Sequence, residues 1–333
     1  MYFGGNALKA LAFFVLVGCA PTEAPPASTQ PVDPAFASLG SGFISSTAEV
    51  NGTTLHYIRG GAGPALILLH GFPQDWYGFH RIMPRLKSRF TVLAVDLRGV
   101  GGSASAVGGY DAATMAEDVH QLVAHLHLKR VYAVGHDIGG MVAYAYARLY
   151  PETSRGVMIL DVPLPGLGPW ARIEADPMLW HIHFQQTRDL PEQLIAGRQA
   201  IYFRHFLDPS FFTDGDVAHY AESYAAPGHL HAAFEAYRAF PANAQFNAAQ
   251  QGPVSLPLVL AAGDRSPVGE MLPSLATALR GHGCASVTTE IIKGSGHYVA
   301  DEQPDAVAGL IERYAGASDL PASETSVGGE VVK

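Results

Sequence analysis

Cysteine is almost absent, with two among 333 residues. A disulfide scaffold or a cysteine-built metal site needs more than that, so folding rests on a buried apolar core. Charge is sparse as well, at 15% of residues, and the basic sign is the scarcer: 21 Lys and Arg against 30 Asp and Glu, a formal net charge of −9. No Lys/Arg cluster occurs along the chain, which excludes a basic field for nucleic acid and favours small, largely uncharged substrates. No internal repeat or low-complexity block interrupts the part expected to fold. No metal-ligand cluster or phosphate loop appears, so neither a metal nor an organic cofactor is implied. The Gly-rich "LRGVGGS" at 97–103 follows a strand-like run and reads as a structural turn. What the chain does have is 48% hydrophobic residues and 36 glycines, enough for one large domain or a core with an insertion.

At the N-terminus the only apolar run, "ALAFFVLVG" at 10–18, follows Lys9 and is too short to span a bilayer comfortably. Residues 1–19 therefore read as a targeting segment. Its end, Leu16-Val17-Gly18-Cys19, resembles the bacterial lipobox, which implies that Cys19 is acylated and anchors the protein to a membrane. Ala20 is not the aspartate that retains lipoproteins at the inner membrane, so the resemblance implies export and anchoring in the cell envelope, at the outer membrane. An ordinary secretory signal, giving a secreted protein, is the alternative. With Cys19 so used, Cys284 has no partner and reads as a buried filler.

Residues 20–42, rich in Pro, Ala, Ser and Thr, read as a flexible tether, and 317–333 as a disordered tail. Asn51-Gly52 between two alternating runs is a two-residue hairpin signal. Continuous apolar runs follow: "ALILLHG", "FTVLAVDLRG", "RVYAVGHD", "GVMILDVPLP", "LPLVLAAGD" and "SVTTEIIKGSGH". They predict buried parallel strands, with helices over 111–127 and 138–150 among the segments between them. From 163 to 252 the strand-like runs vanish and helical, aromatic-rich segments take over, which predicts a helical lid inserted between core segments 43–162 and 253–316.

Gly135-His136-Asp137-Ile138-Gly139, between a strand and a helix, has the form of a nucleophile elbow with aspartate in the nucleophile's place. Together with His70-Gly71-Phe72-Pro73 and Asp96-Leu97-Arg98-Gly99, it resembles the α/β-hydrolase fold over roughly 43–316. That resemblance implies an α/β architecture, a mostly parallel eight-stranded sheet with an inserted helical lid. A carboxylate attacks saturated carbon and forms an alkyl ester, which makes ester substrates unsuitable. Opening that ester needs a base and an oxyanion hole. The fold keeps its base where His297 stands, and its hole at the backbone N–H groups of Phe72 and Ile138. The orienting acid has two candidates. Gly263-Asp264-Arg265-Ser266 carries serine in the usual acid slot, so Asp161, 24 residues after Asp137, is preferred over Asp264.

The leaving group is read from the lid. Haloalkane dehalogenases usually carry Trp after the nucleophile and Asn after His-Gly, but Ile138 and Phe72 stand here. Fluoroacetate dehalogenases carry arginines one and four residues after the nucleophile, where this chain has Ile138 and Met141. "MLWHIHF" and "AAFEAYRAF" instead resemble the Cif-type epoxide hydrolases, relatives of the cystic fibrosis inhibitory factor. The resemblance implies His181 and Tyr237 as ring-opening donors, with His183 the competitor for His181, an epoxide as substrate and, by analogy, a homodimer. Phe72, Trp76, Trp180 and Phe184 are the expected apolar pocket lining, plain core packing being the alternative for each. A dehalogenase on the same scaffold and a non-catalytic binding lipoprotein are the rival readings.

Overall fold

The computed structural model describes Met1 and residues 34–317. The expected targeting segment beyond Met1, Cys19 included, and the expected tail beyond residue 317 lie outside the described residues. In chain order come α1 (Pro34–Ser38), β1 (Phe43–Val50), β2 (Thr53–Gly60), β3 (Ala65–Leu69), α2 (Met83–Leu86), β4 (Thr91–Val95), α3 (Ala112–His125), β5 (Val131–His136), α4 (Ile138–Leu149) and β6 (Ser154–Leu160). Seven helices follow: α5 (Trp170–Ala175), α6 (Trp180–Gln186), α7 (Leu190–Ile195), α8 (Gln199–Arg204), α9 (Asp214–Ser223), α10 (His229–Arg238) and α11 (Phe240–Ala249). The described chain closes with β7 (Val254–Gly263), α12 (Pro267–Gly281), β8 (Cys284–Ile292), α13 (Val299–Glu302) and α14 (Pro304–Ala317).

The eight strands form one sheet in the order β1-β2-β4-β3-β5-β6-β7-β8. Only β2 runs against the others, pairing antiparallel with both β1 and β4. The turn between β1 and β2 puts Asn51 at φ 44° and Gly52 at φ 73°, both in the left-handed region that a tight hairpin requires. Strands β3, β4, β5 and β6 are buried at every residue, which is why they read as unbroken apolar runs rather than alternating ones.

Alternate residues of these strands feed two cores. Ile67, Leu69, Leu93, Val95 and Ala133 pack toward α3, α4 and the helical insertion, while Leu66, Leu68, Val92, Ala94 and Val134 pack toward α2 and α14. The chain runs from β3 to β4 on one side and onward to β5 on the other side of β3. The crevice above β3 and β5 is therefore the switch point where open α/β sheets form their sites. One expectation needs correction: the end of the expected tether is folded. Residues 34–38 are helical and Leu39 is 3% exposed in the second core, because Ala35, Phe36 and Leu39 give that stretch an apolar face to bury.

Candidate active site

Strand β5 ends at His136 and α4 begins at Ile138, so Asp137 alone makes the turn, at φ 51° and ψ −125°. A non-glycine residue in that region is strained, and such strain persists only where the surroundings impose it. They do so by proximity. A Cβ at Gly135 would lie 2.0 Å from the Gly139 carbonyl oxygen, and one at Gly139 would lie 2.1 Å from the Leu69 carbonyl oxygen. With both positions bare, α4 seats against β3 and lifts the Asp137 carboxylate above the sheet. Its Oδ1 accepts the Phe72 N–H at 3.0 Å. Ile138, at the first position of α4, has an N–H with no acceptor inside the helix.

His297 lies in the loop after β8, with Nε2 3.9 Å from Asp137 Oδ2. Its Nδ1–H donates to Asp161 Oδ1 at 2.9 Å, which leaves Nε2 as the basic nitrogen of the neutral ring. Burial by itself would lower the His297 pKa, but the hydrogen bond and charge of Asp161, with the charge of Asp137, outweigh it and the net shift is upward. Asp161 follows β6 at φ 48° and is 1% exposed. Its two oxygens accept three donors: Gly263 N–H to Oδ2 at 2.8 Å, and Ser266 Oγ–H at 2.6 Å together with the imidazole to Oδ1. Asp264 is elsewhere, exposed, with Oδ1 accepting Gly294 N–H at 2.8 Å and Lys293 3.7 Å away. Of the two candidate acids, Asp161 is the one beside the imidazole.

Above these groups is a cavity of about 300 Å³ roofed by α5, α6, α10 and α11. His181 and Tyr237 line it with ring centroids 6.3 Å apart, facing Asp137 from the roof. Burial, the largest cause, holds the His181 pKa down to about 4, so the ring is neutral near pH 7 and carries one N–H. Burial, then the charge of Asp137, holds the Tyr237 phenol well above its ordinary value, and it keeps its proton. Among the described residues, no lining side chain is Lys or Arg, and no group of three His, Cys, Asp or Glu is arranged to hold a metal.

A sequence profile of the α/β-hydrolase fold matches residues 64–304. The chain belongs to that family. This α/β-hydrolase is 33% identical over 271 residues to a soluble epoxide hydrolase of Corynebacterium sp. (strain C12), across 78% of the chain and 93% of the relative. It is 32% identical over 212 residues to a fluoroacetate dehalogenase of Burkholderia sp., across 60% and 69% respectively. Among solved structures, the epoxide hydrolase CorEH without ligand superimposes with a TM-score of 0.75 at 30% identity, covering 83% of this chain and 99% of that one.

Three of the expected lining residues of this hydrolase are not at the cavity. Trp76 is 4% exposed in the core on the other face of the sheet, because Asp75 caps a tight turn over Trp76–Phe79 and Asp96 holds the Trp76 N–H, which fixes the indole there. Trp180 is 42% exposed. It precedes His181 on α6, and successive helical residues point about 100° apart, so an inward His181 turns Trp180 outward. Phe184 is one turn after Trp180 and packs on it, with centroids 5.7 Å apart. His183 also faces away, bonded through Nε2 to the Glu174 carbonyl. Phe72 does line the cavity.

Other walls, among them Met141, Trp170, Phe206, Phe240 and Tyr298, carried no signal of their own beyond the adjacency of Tyr298 to His297. His136 was missed as well. It is buried, its Nε2–H donates to the His297 carbonyl at 2.9 Å, and burial followed by the charge of His297 lowers its pKa to about 4. A neutral His136 therefore fastens the His297 loop to the end of β5.

Proposed function

We propose that this α/β-hydrolase converts a neutral, mainly apolar epoxide to a vicinal diol. The observation that carries the reading is a carboxylate, in place of a hydroxyl, at the elbow, facing two lid groups that each hold a proton. The Phe72 N–H occupies Oδ1, which leaves Oδ2 of Asp137 to attack an epoxide carbon from the rear. The new C–O bond makes a hydroxyalkyl ester as the ring C–O bond breaks, and the His181 N–H and Tyr237 O–H stabilise the departing oxygen. His297, oriented by Asp161 and close enough to reach the ester through one water, then takes a proton from that water. The hydroxide adds to the Asp137 carboxyl carbon, and the oxyanion falls to the Phe72 and Ile138 amides. Collapse breaks the bond from the carboxyl carbon to the alkyl oxygen, which takes the proton held by His297; the second proton of the water, left on the Asp137 carboxyl, replaces the one taken up by the ring oxygen, and the diol leaves with Asp137 a carboxylate again.

A haloacid reading draws on the likeness to the fluoroacetate dehalogenase, but none of the described lining residues is a Lys or Arg that would hold a substrate carboxylate. The pairing of His181 with Tyr237 supports placing the chain in the Cif-type branch, and that analogy carries the proposal of a homodimer, which light scattering of the purified chain tests. The Leu16-Val17-Gly18-Cys19 motif supports a lipid anchor at Cys19 in the cell envelope. Cys19→Ala then moves the protein from the membrane fraction to the soluble one.

The activity test is a panel of epoxides and haloalkanes with wild type and His297→Gln. Expected are diols from wild type, no halide, and in His297→Gln a mass increment equal to the epoxide on the peptide that contains Asp137. Halide release without diol formation, or no adduct and no diol from any epoxide, rejects the reading.

A further inference from the structure

The place that most members of the fold give to the orienting acid is held here by Ser266, and its hydroxyl is in use on both sides. Oγ–H donates to Asp161 Oδ1 at 2.6 Å, while a lone pair of the same oxygen accepts the Val268 N–H at 3.2 Å as the N-cap of α12. An oxygen that donates in one direction and accepts in another has its torsion fixed by both. The oxygen it reaches on Asp161 is the one that receives the His297 Nδ1–H. Gly263 N–H holds only the other oxygen, Oδ2. Ser266 is 7% exposed and lines the cavity, so water competes little for that hydroxyl.

We infer that Ser266 is a positioning residue for the second half-reaction: it ties Asp161 to the first turn of α12 so that Oδ1 meets the imidazole at the angle that aims Nε2 at the Asp137 ester. The inference rests on the two-step reading of Asp137 and His297. The carboxylate's attack on the epoxide does not use His297, and hydrolysis of the ester does. Loss of the Ser266 hydroxyl therefore slows hydrolysis and leaves alkylation alone, a split that general loosening of the fold would not produce.

The test is single-turnover kinetics with an epoxide that wild type turns over, reading adduct formation by mass and diol release by chromatography, on the full chain. Ser266→Ala is expected to form the adduct at the wild-type rate, to hydrolyse it about tenfold more slowly, the factor that one hydrogen bond to a charged group commands, and so to accumulate ester in the steady state. Ser266→Thr, which keeps the donor and the cap, is expected to restore hydrolysis to within about twofold of wild type on the same argument. Equal hydrolysis rates in Ser266→Ala and wild type overturn the inference, as does a matching fall in both steps. A wild type that makes diol without any adduct on Asp137 overturns the reading beneath it instead, so the two failures are distinct.

Discussion

At the scale of single residues the site depends on where protons sit. Tyr237 and His181 face the nucleophile from the lid with one dissociable proton each, because burial keeps the phenol protonated and the imidazole neutral. Tyr237→Phe removes one donor without changing the ring, and alkylation is expected to fall by about 10²-fold, the lower end of general-acid effects. His181 leaves a residual rate, so the double variant falls further; rapid-quench mass spectrometry of the adduct checks both. His297 supplies the pH dependence. Its pKa is raised above the ordinary 6.5, since Asp161 and Asp137 together outweigh burial. Ester hydrolysis needs the neutral ring, and the ester has removed the Asp137 charge, so its rate is expected to rise with pH and then level, with a midpoint below the pKa of His297 in the free protein, as single-turnover hydrolysis across pH 5–9 set beside a titration of His297 in the free protein would show. A hydrolysis rate that falls as pH rises contradicts the assignment of His297 as the base. The placement of Asp137 at the elbow and of His297 in the loop after β8 was legible because their neighbours in sequence fix it: two glycines around Asp137, a strand and a helix around His297. The acid was legible only as a preference for Asp161, from the serine in the usual acid slot: Asp161 and Asp264 both stand at strand ends, and the fold is what brings Asp161 to the imidazole.

At the scale of elements the elbow is a packing constraint first. Helix α4 approaches β3 so closely that a methyl at residue 139 would lie 2.1 Å from the Leu69 carbonyl oxygen, a distance no real Cβ tolerates. Gly139→Ala is expected to cost about 3 kcal/mol or more in stability, at the upper end of overpacking effects, and to lower activity beyond that loss because the nucleophile moves with the helix. Urea unfolding paired with the adduct assay separates the two effects. The lid elements were legible in kind but not in extent. "LIAGRQAIYFRHFL" reads as helical, and it is, but as α7 and α8 with a break at Gly197, which adopts φ 75°. Helices of six residues such as these are held by contacts with the core rather than by their own propensity, so their ends do not appear in local pattern.

At the scale of the whole molecule, lid and core are joined by buried polar groups as well as apolar ones. Gln74, in the loop after β3, donates to Tyr220 Oη of α9 at 3.1 Å and to Asp301 Oδ2 of α13 at 2.7 Å, and Arg81 Nε lies 3.9 Å from Asp301 Oδ1. Burial raises the Asp301 pKa from the ordinary 3.8 to about 7, despite Gln74 and Arg81. The folded protein then holds this proton more tightly than the unfolded chain, so its contribution to stability declines as pH rises from 3.8 to about 7 and is constant above. Asp301→Asn removes that decline. The gap in Tm between variant and wild type is expected to widen in the variant's favour from pH 4 to pH 7.5, and a gap independent of pH rejects it. The order of apolar runs and turns along the chain, by itself, determined the doubly wound sheet, the hairpin at its edge, the elbow and the residue it presents, since each is a local steric or burial demand that neighbours in sequence satisfy. Which acid turns toward His297, which aromatic rings wall the cavity and which are buried beneath the sheet or turned to solvent were decided only by the tertiary structure. Those choices depend on the direction of each side chain and on partners a hundred or more residues away, and no short stretch of sequence contains either.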